Sequence, residues 1–240
     1  VQKITPLFNL FQFNIYLCDL LPKRPKMEIF NEIAPLRAFL KHSRLPGKTI
    51  GLVPTMGALH AGHVSLVEAS RANNQLTVCS IYVNPTQFNN PGDLQHYPRT
   101  FEADINMLAD AGCDVVFHPA NSEMYTATPA LSFDFGLLSE VMEGKFRPGH
   151  FSGVALVVAK FFNIVQPDNA YFGQKDWQQF AIIKQLVAEL KFNLTLHGVP
   201  TLREADGLAM SSRNLRLNKE QRIQAVVLYQ SLTSAKQMLE

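Results

Sequence analysis

Several features that would mark a particular class of protein are scarce in this sequence of 240 residues. The three cysteines, Cys18, Cys79 and Cys113, are too few and too widely spaced for a disulfide framework, so we expect reduced thiols in a cytoplasmic protein. The 22 Lys and Arg residues nearly balance 20 Asp and Glu residues, so the basic excess of nucleic-acid-binding proteins is absent. Nucleic acid is therefore not an expected partner.

The sequence also lacks an uninterrupted apolar run that would cross a membrane. The stretch from Ile4 to Leu21 is rich in Phe and Leu, but polar residues interrupt it and no small-residue cleavage site follows. We therefore expect residues 1–26 to be an extension outside the fold and expect no membrane partner. Met27 is the expected natural start of the domain, and it opens a predicted amphipathic helix. The apolar side of that helix comprises Ile29, Phe30, Ile33, Leu36, Phe39 and Leu40.

Two well-known binding motifs are missing as well. Neither an H-E-x-x-H pattern nor a cysteine pair accompanies His60 and His63, which argues against a zinc site. Gly47-Lys48-Thr49 resembles the end of a phosphate-binding P-loop, but His42 stands where the first glycine would be. That tripeptide also precedes its strand, so we reject a P-loop.

The most informative segment that is present runs from Pro54 to His63. It follows a predicted buried strand, residues 49–53, and precedes a helix face formed by Val64, Leu66, Val67 and Ala69. The segment 57–62 is therefore predicted to be the loop between them. Ligands of open α/β sheets lie beyond the carboxyl ends of strands, and a helix N-terminus favours an anion such as phosphate. Two paired histidines at such a turn indicate a site, whereas a lone histidine would more often be an ordinary surface residue.

Strands and helices alternate along the rest of the chain. Strands are predicted at 76–83, 115–117 and 170–172, and helices at 103–111 and 152–165. This alternation predicts parallel βαβ units, so the expected fold class is α/β. Asn84 to Phe88 follows one predicted strand and places polar groups at its carboxyl end.

Two further clusters complete the candidate site, and the first follows the predicted strand at 170–172. Gly173 to Asp176 precedes a helix that contains Gln178, Gln179 and Ile182, and Glu204 to Asn214 joins two serines to an arginine. Lys, Arg and Ser can all donate hydrogen bonds to phosphate oxygens. Each cluster also has a simpler interpretation, because Lys175 and Asp176 can form a solvated pair and either serine can cap a helix.

From Met27 to its end the chain resembles the pantoate–β-alanine ligases (pantothenate synthetases). The resemblance rests on five motifs together: residues 54–63, Tyr82 to Phe88, Tyr97-Pro98-Arg99-Thr100, Arg147-Pro148-Gly149-His150-Phe151, and residues 204–214. The His-x-Gly-His core of the first motif is shared by the nucleotidylyltransferase superfamily and class I aminoacyl-tRNA synthetases. The loop at Met210-Ser211-Ser212 corresponds to the second signature of that superfamily.

The resemblance implies that the pantoate carboxylate attacks the α-phosphorus of ATP and that β-alanine then attacks the pantoyl adenylate. The implied catalytic residues are His60 and His63, with His63 as the proton donor to the departing pyrophosphate, together with Lys175, Ser211, Ser212 and Arg213. The implied ATP site comprises Met56, Gly57, Ala58, Leu59, His60, Ala61, Gly62, His63, Gly173, Gln174, Lys175, Asp176, Leu202, Met210, Ser211, Ser212 and Arg213.

Pantoate is expected to bind Gln87 and Gln179, with Met56 and Val154 closing around its dimethyl group. Mg²⁺ is expected to arrive with ATP, since it prefers phosphate oxygens and water to an all-protein cage. Asp104 is either a direct or indirect contact of that ion or a carboxylate on a helix surface.

The resemblance further implies a Rossmann-like doubly wound parallel sheet at residues 27–199 and a second, smaller C-terminal lid domain at residues 200–240. The lid is expected to be shortened and to end in one helix, residues 219–240. A cytoplasmic homodimer is the implied state. Two alternatives stay open: another nucleotidylyltransferase of the superfamily, or a truncated copy that binds nucleotide without turnover.

Overall fold

The computed structural model describes residues 26–239. The predicted extension at residues 1–26 and Cys18 lie outside the described residues, apart from Lys26.

In this part of the chain, six strands form one parallel sheet with the order β1-β4-β3-β2-β5-β6. The strands are β1 (Glu28–Phe30), β2 (Ile50–Thr55), β3 (Leu76–Ile81), β4 (Val115–Phe117), β5 (Asn169–Gly173) and β6 (Thr195–Val199). From β2 the chain winds outward to β3 and β4 on one side and then to β5 and β6 on the other. This arrangement confirms the predicted Rossmann-like, doubly wound fold.

Helices connect the strands and continue beyond the last one. They are α1 (Ile33–Ser43), α2 (Ala61–Asn73), α3 (Pro91–Gln95), α4 (Phe101–Asp110), α5 (Asn121–Met124), α6 (Leu137–Glu140), α7 (Met142–Phe146), α8 (His150–Val165), α9 (Trp177–Leu190), α10 (Lys219–Gln224) and α11 (Val227–Leu239). Short 3₁₀ turns lie at Pro85–Gln87, Gln174–Asp176 and Ser212–Arg216.

The sheet is covered on both faces, which explains why its central strands are mostly apolar. On one face, α1, α8 and α9 bury a cluster that includes Leu36, Phe162 and Ile182. On the other face, α2 and α4 bury Val67 and Leu108. The two described helices after β6 bury none of their side chains; Val226, which is buried, lies between them.

Three details differ from the sequence predictions. Residues 28–30 are not helical but form β1, because they pair with the free edge of β4, and the helix begins only at Ile33. Strand β6 was not predicted, and its residues are only partly buried. The expected single C-terminal helix is divided into α10 and α11 by a turn at residues 225–226.

Strands β2 and β5 diverge at their carboxyl ends. The backbone N–H and C=O of Ile50 both point towards Asp168. Because backbone groups alternate in direction along a strand, the backbone groups of Leu52 and Pro54 also point towards β5. Pairing between the two strands ends at Leu52 and Ala170. Proline has no N–H to donate, so Pro54 suits a position beyond the last paired residue. Strand β2, predicted at residues 49–53, continues to Thr55. Beyond Leu52 and Ala170 a crevice opens between β2 and β5, at the point where the strand order reverses.

Helix α8 packs directly against the turn that follows β3. The carbonyl of Gly153 accepts a hydrogen bond from the side-chain nitrogen of Asn84 at 3.1 Å. A Cβ added at Gly153 would lie 2.3 Å from the backbone oxygen of Thr86 and 2.7 Å from the backbone nitrogen of Gln87. The close approach of two backbones therefore requires glycine at position 153.

We expect Gly153→Ala to lower the free energy of unfolding by about 1–3 kcal/mol, because backbone rather than a flexible side chain would have to move. Urea denaturation measures the change. Gly173→Ala is the matched control, since its φ is −75° and an added Cβ meets no atom within 4 Å. Equal stability of the two variants would contradict the packing argument.

Candidate active site

A cavity lies in the crevice between the carboxyl ends of β2 and β5. Its wall is formed by the end of β2, the start of α2, the turn after β3, helix α8, the turn after β5 and the segment after β6. The lining residues are Pro54, Thr55, Met56, His60, Gly62, His63, Leu66, Tyr82, Gln87, Tyr97, Val154, Val157, Val158, Phe161, Phe172, Gly173, Lys175, Asp176, Gln179, Pro200, Thr201, Leu202 and Met210. Polar groups from several loops thus converge on one apolar floor, as ligand sites commonly do.

The two histidines cap the N-terminus of α2 reciprocally. The Nδ1 atom of His60 accepts a hydrogen bond from the Gly62 N–H at 3.1 Å, and Nδ1 of His63 accepts one from the His60 N–H at 3.3 Å. Their rings lie 4.0 Å apart between centroids. Because both Nδ1 atoms are acceptors, each neutral ring carries its proton on Nε2. The cap therefore leaves two Nε2–H donors for the cavity.

Both imidazoles are neutral near pH 7. Burial is the main cause that lowers the pKa of His63 to about 3, and repulsion from His60, once that ring is protonated in acid, and from Lys175 adds to it. Burial and Lys175 also lower the pKa of His60, although Glu204 and Asp176 act in the opposite direction. In the free protein His63 is thus a donor of a neutral N–H hydrogen bond. Its role as proton donor to the departing pyrophosphate stays a prediction.

Asp104 anchors the loop that leads to the histidines. Its Oδ2 accepts the Ala58 N–H at 2.9 Å and its Oδ1 accepts the Leu59 N–H at 2.8 Å. The Thr100 hydroxyl donates to the same Oδ1. The side chain is only 2% exposed, so it is neither a surface carboxylate nor free to hold a metal ion. Ala58 has a φ of +49°, and the Asp104 contacts hold this strained backbone in place.

Gln87 presents its amide nitrogen to the cavity. Its Oε1 accepts a hydrogen bond from Nδ2 of Asn84 at 3.0 Å, so the Nε2 donors face the opposite way, towards the sulfur of Met56. Asn84 is itself held by the Tyr125 hydroxyl, which donates to its Oδ1. Asn84 was not predicted as a site residue, although its place at the end of a buried strand was visible in the sequence.

Lys175 lines the same cavity as the two histidines, and its charge acts on both. It stands in the 3₁₀ turn after β5, and its ammonium contacts Asp176 at 3.0 Å. This pair is partly exposed and contributes little to stability, which leaves the Lys175 charge available to an anion. Gln179 lines the same cavity one helical turn later.

Most of the predicted site residues meet in the cavity, but two groups do not line it. Met56, Gly62, Gly173, Leu202 and Met210 line it as predicted, as does Val154. The predicted residues Gly57, Ala58, Leu59, Ala61 and Gln174 do not line it. Ala58 and Leu59 instead serve as the backbone attachment of Asp104, and the Gln174 side chain donates to the Gly198 carbonyl.

The second group is Ser211, Ser212 and Arg213, which the structure places at the rim. Ser211 caps the 3₁₀ turn by accepting from the Arg213 N–H, and Arg213 pairs with Asp93 at 3.1 Å. Arg216 binds the same carboxylate. Burial acts to raise the pKa of Asp93, but hydrogen bonds from Arg216 and Arg213 outweigh it and lower that pKa. In this structure the Arg213 guanidinium thus contacts Asp93, and its phosphate-binding role stays a prediction.

Several aromatic and apolar lining residues had no predicted role. Tyr82 and Tyr97 are both buried, and Phe161 lies edge-on to the Tyr82 ring. Tyr97 belongs to the motif at residues 97–100, so that motif was the signal from which its place in the cavity could have been predicted. Within residues 26–239 no group of three His, Cys, Asp or Glu side chains is placed to hold a metal ion, and no helix there is long and apolar enough to cross a bilayer.

The sheet topology, the cavity at its switch point and the histidine pair at a helix N-terminus define an α/β enzyme of the nucleotidylyltransferase fold. Comparison with known proteins narrows this class. The model of the family described as "Pantoate-beta-alanine ligase" matches residues 28–240. The chain belongs to that family.

Relatives and solved structures agree with the assignment. A pantothenate synthetase of Porphyromonas gingivalis is 55% identical over 196 residues, which cover 82% of this chain and 70% of the relative. The pantothenate synthetase structure from Thermus thermophilus has a TM-score of 0.81 at 47% identity, and the match covers 86% of this chain and 74% of that chain. The Francisella tularensis ligase, solved with β-γ ATP and β-alanine, has a TM-score of 0.81 at 41% identity, with coverage of 85% and 78%.

We expect Asp104→Asn to loosen the loop at residues 57–60, because an amide can accept at only one of the two positions and its NH₂ group would face a backbone N–H. The loss of a buried acceptor costs about 1–3 kcal/mol. Hydrogen exchange measured by mass spectrometry should accelerate in peptides that contain Ala58 and Leu59. Glu102→Gln, at an exposed position of the same helix, is the control. Unchanged exchange in Asp104→Asn would show that the carboxylate does not anchor the loop.

We expect acid to destabilise the wild type more than a His63→Gln variant. The unfolded chain takes up a proton at His63 below about pH 6.5, whereas the folded chain resists it down to about pH 3. The contribution is therefore fully present above pH 6.5 and is lost as the pH falls towards 3. Urea titrations at pH 7 and pH 5 should show a difference of up to about 2 kcal/mol between the two proteins.

His42→Gln, at an exposed position of α1, is the control for that comparison. If His63→Gln lost as much stability as the wild type between pH 7 and pH 5, His63 would not be the neutral buried group described here.

Proposed function

We propose that this chain condenses pantoate with β-alanine to form pantothenate, and that ATP is cleaved to AMP and pyrophosphate. The observation that carries the proposal is the convergence of two Nε2–H imidazoles, the Lys175 ammonium and the Gln87 amide on one cavity. Such donors suit a carboxylate nucleophile and a polyphosphate. The activity named for the similar ligases supports the choice of substrates.

In the first step a carboxylate oxygen of pantoate attacks the α-phosphorus, and pyrophosphate leaves. The nucleophile is already ionised, so the protein has to place it and to stabilise the charge that gathers on the phosphate oxygens. His60 and His63 would donate from the N-terminus of α2, where the helix dipole also favours an anion. Lys175 would act from the turn after β5.

In the second step the β-alanine amine attacks the acyl carbon of pantoyl adenylate, AMP leaves, and the amine loses a proton. Gln87 would hold the pantoate oxygens through its Nε2 donors, and Gln179 would do so from α9. Met56 and Val154 supply apolar surface for the dimethyl group. Fixing the carbonyl group in this way would account for a large share of the rate.

The segment from residue 200 onwards would serve as a lid. Leu202 and Met210 already line the cavity, and Ser211, Ser212 and Arg213 follow directly. In this proposal Arg213 exchanges the Asp93 carboxylate for phosphate oxygens when ATP binds. Closure of this kind would exclude water and protect the adenylate from hydrolysis.

Mg²⁺ would enter with ATP, held by phosphate oxygens and water. The donor set of the cavity suits this arrangement, because Asp176 is paired with Lys175 and Asp104 uses both oxygens within the protein. When bound, the ion would neutralise phosphate charge. A homodimer and a cytoplasmic location are also part of the proposal; Cys79 and Cys113 are buried free thiols, as a reducing compartment allows.

The test is mass-spectrometric detection of AMP, pyrophosphate and pantothenate from the purified chain given ATP, Mg²⁺ and D-pantoate, with and without β-alanine. Formation of AMP and pantothenate that depends on β-alanine is expected. Lys175→Ala should lower the rate about 100-fold, because one donor to the developing charge is lost. Lys184→Ala, at an exposed position of α9, should leave it unchanged.

Two results would contradict the proposal. Nucleotide transfer without AMP release on addition of the amine would indicate a different nucleotidylyltransferase. Absence of both turnover and pyrophosphate exchange would indicate a chain without catalytic activity.

A further inference from the structure

The backbone carbonyl of Gln87 contacts a histidine, His150, that does not line the cavity. Nδ1 of His150 lies 2.8 Å from the Gln87 carbonyl oxygen. A carbonyl can only accept, so Nδ1 of His150 carries the proton. His150 is the first residue of α8, and it is only 5% exposed.

The second nitrogen of that ring is also paired. Nη1 of Arg147 lies 3.1 Å from Nε2 of His150, and because a guanidinium can only donate, Nε2 must accept. Burial is the main reason why the pKa of His150 is lowered, which keeps the ring neutral. The tautomer is therefore fixed from both sides, with its donor aimed at Gln87.

Arg147 is in turn oriented by a carboxylate. Glu143, one helical turn earlier, forms an ion pair with the same Nη1 atom that contacts His150. The segment that carries Glu143 is held by Gln178, whose Oε1 accepts the Glu143 N–H and whose Nε2 donates to the Leu138 and Val141 carbonyls. A continuous hydrogen-bonded chain thus runs from α9 through Glu143, Arg147 and His150 to Gln87.

Gln87 is therefore restrained at two points. Asn84 holds its side-chain oxygen, and His150 holds its backbone oxygen. With both fixed, the Nε2 donors have one direction, into the cavity. The free energy that a substrate would otherwise lose in ordering this side chain is supplied by the fold.

We propose that His150 is a positioning residue that sets the orientation of Gln87 for pantoate and acts through the Gln87 carbonyl without touching substrate. This inference rests on the proposed function, since it assumes that Gln87 binds pantoate. Its expected signature is selective: loss of the His150 donor should weaken the use of pantoate and leave the use of ATP almost unchanged.

The experiment compares His150→Leu, which keeps the bulk of the side chain and removes both nitrogens, with His150→Asn, which keeps an N–H donor near the Nδ1 position. In steady-state kinetics His150→Leu should raise KM for pantoate about tenfold and change KM for ATP by less than about twofold. His150→Asn should recover part of the lost pantoate KM. A merely structural role would reduce the amount of active enzyme and so lower kcat, without separating the two KM values.

The matched control is His42→Leu. Nδ1 of His42 also contacts a backbone carbonyl, that of Ala38 at 2.7 Å, but at an exposed site on α1. Its kinetics should equal those of the wild type. Equal KM changes for pantoate and ATP in His150→Leu, or no change in either, would overturn the inference.

Gln87→Ala separates failure of this inference from failure of the proposed function. If Gln87→Ala raises KM for pantoate while His150→Leu does not, Gln87 binds pantoate without needing His150. If the wild type makes no pantothenate, hydrogen exchange of residues 84–90 still decides the positioning role. Faster exchange in His150→Leu than in the wild type supports that role, and equal exchange rejects it.

Discussion

The site depends on the early end of pairing between β2 and β5. These neighbours share hydrogen bonds only as far as Leu52 and Ala170, and Pro54 has no N–H with which to continue them. The two strands diverge at the point where the strand order of the sheet reverses. A crevice at this switch point is where open α/β folds place their ligands. The other parts of the site are loops that follow the strands into this opening.

Within the opening, buried backbone groups determine what the side chains can do. The N–H groups at the start of α2 hold both imidazoles by Nδ1, so their neutral rings direct Nε2–H donors outward. Asp104 holds the preceding two N–H groups, and His150 holds a carbonyl of the facing loop. Burial makes neutral histidines the stable form, since a charged ring would lose its hydration and face Lys175. Donors without net charge can be packed together before an anion arrives, whereas several cations could not.

The regular elements of the core could be predicted because their hydrophobic patterns are strong and local. Strand β4 was predicted with its observed bounds, and the central strands and α8 were predicted to within a few residues. The errors fall where tertiary contacts decide. Residues 28–30 become a strand because β4 offers a free edge, and β6 is too exposed to show a buried-strand pattern. The division between α10 and α11 lies in a region with few buried side chains to maintain a single helix.

By itself, the amino-acid sequence determined the fold class, the order of the central strands and helices, and the presence of His60, His63, Gln87 and Lys175 at the carboxyl ends of strands. These follow from periodicity and motifs, which are properties of neighbouring residues. Only the tertiary structure decided which of the predicted residues meet, which nitrogen of each imidazole carries the proton, and that Arg213 rests on Asp93. Partners of that kind lie far apart in the chain, so no local pattern specifies them. Their hydrogen bonds and charges act only once folding has brought them within contact distance and removed water from between them.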